Sequence, residues 1–157
     1  MDIAGLPLHV LVNHAAVVFT PLAVLSALVF AVAPQYRYLT RWPTAVLTVV
    51  SLGSVWLARI SGKALVNQRP ELAPLVRTHQ ARANTLSLLM ILFTVVVLLG
   101  VWGLGGRSGL ISGAGDRDTR VGAFDRVLPA VLVVVSVLVL VWVFLTGDAG
   151  ARAVWGR

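Results

Sequence analysis

The sequence predicts an all-α integral membrane protein, a bundle of four transmembrane helices forming one domain over residues 1–157. Three observations carry that prediction. Apolar residues make up 58% of the chain and charged residues only 12%, against about 45–50% and about 25% in soluble domains. Four runs free of Asp, Glu, Lys and Arg, or nearly so, are long enough to cross roughly 30 Å of hydrocarbon as helices. The charges gather in the connections between those runs, where membrane proteins keep them. Such a composition excludes a water-soluble enzyme, a disulfide-stapled secreted domain and a disordered segment. With no cysteine, thiolate zinc sites, cysteine-ligated iron–sulfur clusters and cysteine nucleophiles are excluded too. The net charge of +7 comes from thirteen scattered basic residues, a pattern of topology and lipid contact, with no nucleic-acid partner implied.

The spans are expected at about residues 8–33, 43–60, 83–104 and 127–146. Each must be helical, because lipid-exposed strands would leave backbone groups unpaired. Pro34 ends the first span, and Pro21 inside it predicts a kink, with Thr20 placed to take up freed backbone groups. Ala31-Val32-Ala33 mimics a signal-peptide cleavage site, but Asp2 is the sole charge before the apolar run and the basic n-region is missing. The first span is therefore read as retained. Residues 35–42 form a short basic turn with Tyr36, Tyr38 and Trp42 at headgroup level. Arg59 ends the second span and snorkels, and the group Ser51, Gly53 and Ser54 predicts close helix packing there. Pro70-Glu71 reads as the first turn of a helix that continues through His79 into the third span. Residues 105–122 read as a flexible glycine-rich loop. The five tryptophans suit interface anchors. Four spans leave seven basic residues on one side and six on the other, so charge gives no orientation.

All three histidines, His9, His14 and His79, fall toward the same membrane face by topology, as does Asp148. Ionisable groups at membrane depth are costly and usually functional, and neutral imidazole ligates haem iron, copper and zinc. Histidines on two helices of a bundle can clamp a haem between them. His9 and His14 are about 140° apart around the helix and about 7.5 Å apart along it, so they cannot both address one iron. His14, the deeper one and next to Asn13, is the expected ligand from span one, and His79 the ligand from span three. His9 is then left to hydrogen-bond a propionate, a quinone or a group behind the ligand, and Arg77 and Arg82 neutralise the haem propionates, as Arg59 and Lys63 could. Two alternatives stay open: a cofactor-free scaffold or accessory subunit with headgroup-level histidines, and a copper or zinc site built from His9, His14, His79 and Asp148. Hydrolase, phosphate-loop and paired-carboxylate signatures are absent, and no charged relay runs through the spans. Independent catalytic activity is not expected.

The same residues resemble a bacterial family of small four-helix membrane proteins catalogued only as a domain of unknown function. Its opening pattern of two histidines around Pro-Leu, followed by a Val-His-Phe-like step, is matched by Leu6-Pro7-Leu8-His9-Val10 and Asn13-His14-Ala15. Its mid-chain histidine is matched by Thr78-His79-Gln80, and its ending by Thr146-Gly147-Asp148-Ala149-Gly150-Ala151 with Val154-Trp155. Leu6 and Asp148 stand where the family has histidines, which leaves a reduced imidazole set on spans one and three. Some members are fused to, or encoded beside, Rieske or c-type cytochrome modules. The resemblance implies a multi-pass protein of the bacterial inner membrane, in redox company. The expected function is thus a small b-type cytochrome-like electron-transfer subunit, with haem b between spans one and three. Its expected partners are the lipid bilayer and a quinone or redox protein, in an oligomer or larger membrane complex.

Overall fold

Small residues recur every three to four positions along the first two apolar runs, and these stripes become contact faces of the bundle. On the second helix the stripe is Thr44, Thr48, Ser51, Val55 and Ala58, all buried, with Gly62 next in register. On the first it is Ala16, Thr20, Ala23, Ala27 and Ala31. Small side chains let membrane helices approach closely, which gains dispersion contacts that lipid would otherwise provide. Between the stripes, Val24, Phe30, Met90, Phe93, Val97, Leu132 and Val139 are fully buried and fill one apolar core drawn from four helices.

The computed structural model describes residues 2, 3, 6–104 and 124–156. It contains α1 (Leu8–Val32), α2 (Arg37–Gln68), α3 (Ala73–Gly103) and α4 (Phe124–Trp155). A two-residue antiparallel ladder, β1 (Asp2–Ile3) on β2 (Leu6–Pro7), precedes them. The expected glycine-rich loop at 105–122 lies outside the described residues. All four helices are long and apolar enough to cross a membrane, and their outward faces carry large apolar side chains such as Val18, Leu25, Leu88 and Phe144, as lipid contact requires. Trp42, Trp102 and Trp155 are the most exposed of the tryptophans, at 69, 77 and 81%.

The helices outrun the apolar stretches that announce them. Hydrocarbon thickness sets the length of an apolar run but not of the helix, so α2 continues to Gln68 and α4 to Trp155. Pro34 opens a 3-10 turn, Pro34–Tyr36, that ends α1. Arg37, only 8% exposed, then reaches back to donate from Nε to Phe30 O at 3.0 Å and from Nη2 to Ala31 O at 3.3 Å. A cation on the last carbonyls of a helix satisfies orphaned acceptors at the negative end of its dipole. Pro70–Leu72 is likewise a 3-10 turn, not the first α-helical turn, and α3 then runs unbroken past His79.

Two local expectations are corrected. Thr20 Oγ1 is buried with no hydrogen-bond partner, so it does not take up the backbone groups freed near Pro21. Gly53 is exposed and a Cβ there would meet nothing within 4 Å, so close packing does not occur at that glycine. Three buried hydroxyls bond back to their own helix, Ser51 to Leu47 O, Ser87 to Ala83 O and Thr94 to Met90 O, while those of Thr48 and Ser136 have no partner among the described residues. Ser26 instead bonds Thr44 across the α1–α2 seam at 2.6 Å.

Neighbouring helices pack in the cyclic order α1–α2–α3–α4–α1. Helices α1 and α3 therefore face each other across the bundle diagonal. Their N-terminal ends lie at the same end of the bundle, which is where the cavity is.

Candidate functional site

The stripe that buries Ala16 and Ala23 on α1 also passes through His9, seven and fourteen residues earlier, and turns its ring toward α2. There His9 Nδ1 lies 2.9 Å from Ala58 O. On α3, the stripe through Leu86 and Met90 passes through His79, whose Nδ1 lies 2.9 Å from Thr146 O on α4. A carbonyl oxygen can only accept, so each neutral ring carries its proton on Nδ1 and its lone pair on Nε2. Ser61 Oγ also approaches His9 Nδ1, at 3.4 Å, but donates to Leu57 O at 2.8 Å. Neither Nε2 has a hydrogen-bond partner among the described residues.

Each ring rests on a glycine one turn beyond its carbonyl acceptor. A Cβ at Gly62 would stand 3.0 Å from His9 Cε1, and one at Gly150 would stand 3.1 Å from His79 Nδ1. The two hairpins thus repeat one frame: a histidine at the start of one helix, then a carbonyl and a glycine four residues apart on its partner. The frames meet across the diagonal, with ring centroids 6.3 Å apart and ring planes crossed at 77°.

Around the two imidazoles is a cavity of about 690 Å³ lined from all four helices. Leu65, Val66, Leu72, Leu75, Val76 and Leu86 make most of its wall apolar, while Asn13, His14, Arg59, Lys63, Gln80 and Asn84 add polar groups. That is the size and character of a small-molecule or cofactor pocket. Among the described residues none lining it is Asp or Glu.

The residues expected from sequence divide clearly. His9 and His79 come together; His14 is exposed and lies on the cavity wall, without joining them. Arg77 is exposed and Arg82 is turned toward α4, and neither lines the cavity. Arg82 Nη1 donates to Leu145 O at 2.6 Å and sits 3.7 Å from Asp148, a pairing that ties α3 to α4 beside the acceptor of His79. Asp148 also takes Arg152 at 3.0 Å and stands apart from the imidazoles. The cations that do face the cavity are Arg59 and Lys63. Arg59 Nε donates to Asn84 Oδ1 at 2.9 Å, and its guanidinium stacks over Trp56 at 5.1 Å.

The geometry suits some ligands better than others. Two metal–nitrogen bonds of about 2 Å, extended by the radius of each ring, separate two opposed imidazole centroids by about 6 Å, close to the distance observed. A bare zinc or copper ion needs three or four protein ligands. Among the described residues no group of three His, Cys, Asp or Glu comes together to hold a metal. A haem brings four nitrogens of its own and asks the protein for two. Sequence reading missed Gly62, Gly150 and the two carbonyls. The signal for them was the four-residue spacing of Ala58 with Gly62 and of Thr146 with Gly150, in register with the small-residue stripes. No protein-family model, curated protein or solved structure matches the chain.

Proposed function

We propose that the protein is a small membrane cytochrome of the b type, with one haem held between His9 on α1 and His79 on α3. The single observation that carries this reading is the pair of crossed imidazoles 6.3 Å apart, each with Nδ1 fixed by a helix carbonyl and Nε2 left for a metal. When bound, the haem supplies a one-electron carrier at one end of the bundle. The chain does the rest. Ala58 and Thr146 hold the ring tautomers, and hydrogen bonds at Nδ1 raise the basicity of the ligating nitrogens. Gly62 and Gly150 give the rings room against the neighbouring helices. The apolar side chains of the wall would pack against the macrocycle.

Membership of a bacterial inner-membrane redox assembly, with a quinone or a redox protein as partner, rests on the family resemblance and is part of the same proposal. The test is the visible spectrum of detergent-purified protein expressed with excess haem precursor. One haem per chain, with sharp α and β bands on dithionite reduction, is the expected result. A colourless protein under those conditions contradicts the reading and leaves a cofactor-free bundle.

A further inference from the structure

The two hairpins present the same frame to the cavity but differ in the residue that comes directly after each carbonyl and each glycine. On α2, Ala58 and Gly62 are succeeded by Arg59 and Lys63; on α4, Thr146 and Gly150 are succeeded by Gly147 and Ala151. All four of these successors line the cavity. One side of a near-symmetric pocket therefore carries two positive charges, and the equivalent side carries none. Among the described residues no carboxylate lines the pocket to balance them, and Lys63 forms no ion pair. Asn84 and the Trp56 ring hold the Arg59 guanidinium in place at 2.9 and 5.1 Å, which lowers the entropy lost when it engages an anion.

We infer that Arg59 and Lys63 form an anion subsite that fixes the orientation of the cofactor, taking the paired carboxylates of its edge on the α2 side. This rests on the haem reading and adds to it a direction. The macrocycle lies between the rings with its carboxylate edge toward α2 and its apolar edge toward Gly147 and Ala151. Charge-assisted hydrogen bonds to a carboxylate are the strong ones, and two cations on one side of the cavity favour an anionic ligand over a neutral one.

The probe is haem b against its dimethyl ester, which keeps the ring and the iron and removes both negative charges. Binding is read from the Soret band in phosphatidylcholine nanodiscs, where no acidic lipid competes. Wild-type protein is expected to prefer haem b to the ester by about tenfold. In Arg59→Gln/Lys63→Gln that preference falls below about twofold, and the low-spin spectrum of the variant's ester complex serves as its folding control. Equal affinity of wild type for the two forms, or a preference that survives in the double variant, overturns the subsite while the haem reading stands. If the two forms bind alike and phosphatidylglycerol in the disc displaces both, the cations belong to a lipid headgroup and the proposal falls. Binding of neither form overturns the subsite and the haem reading together.

Discussion

Haem occupancy falls at least about tenfold in His79→Ala and in His9→Ala, and stays within about twofold of wild type in His14→Ala. On the haem reading, either alanine would remove one of the two imidazoles that hold the cofactor. His14 is five residues from His9, about 140° around α1, and is exposed on the cavity wall. What haem remains in the alanine variants turns high-spin, because one face of the iron lacks a strong ligand. A structural role for the rings would also lower occupancy, so the informative companion is His79→Met. Methionine restores a ligand at that position and, paired with histidine, raises the potential. The expected outcome is a low-spin spectrum with an upward shift of the midpoint, measured by redox titration. A His14→Ala variant that loses its haem while His9→Ala keeps it reverses the assignment.

The second large effect belongs to two glycines of the cavity wall that act through the rings they support. In Gly62→Val and Gly150→Val the new Cβ stands 3.0–3.2 Å from the nearest ring atoms of His9 or His79, and the branched carbons beyond it find no space. The ring must rotate away, breaking its bond to Ala58 O or Thr146 O and moving Nε2 off the shared axis. Both variants are expected to lose the low-spin spectrum. Alanine separates this effect from general damage. Glycine inside a helix is about 1 kcal/mol less favourable than alanine, so Gly150→Ala gains helix stability while it crowds the imidazole by a few tenths of an ångström. The expected product is a bundle no less resistant to denaturant, with a perturbed Soret band. An unchanged spectrum in both valine variants contradicts the role given to the glycines.

The architecture was legible because hydrophobic run length is a direct reading of bilayer thickness. The ends of the helices were not, since Arg37, Gln68 and Asp148 lie in helical backbone outside the apolar runs. His79 was legible from its place one turn ahead of the third run. Depth in the membrane pointed to His14 as the ligand from span one; which of the two rings meets His79 turns on how α1 rotates against α2, and it is His9. The cue that decides it is register: His9 lies in the same stripe as buried Ala16, Ala23 and Ala27, while His14 lines up with Val18 and Leu25, 54 and 55% exposed. Arg82 was expected at the cavity because it lies three residues beyond His79. Asp148 and the carbonyl of Leu145 draw it to the α3–α4 seam instead, a tertiary contact that no local spacing encodes. The carbonyl acceptors carry no residue signature of their own, because any residue supplies a carbonyl; only their four-residue spacing to Gly62 and Gly150 marks them.

The claim on which all of this depends is that two imidazoles oppose each other across one plane with their rings crossed. Electron paramagnetic resonance of the oxidised, haem-loaded protein in lipid reads that arrangement directly, because ring orientation at a ferric haem sets the anisotropy of its signal. Rings at 77° give the strongly anisotropic low-spin signal of crossed axial imidazoles. A rhombic three-line spectrum from parallel rings, or a high-spin signal, contradicts the account.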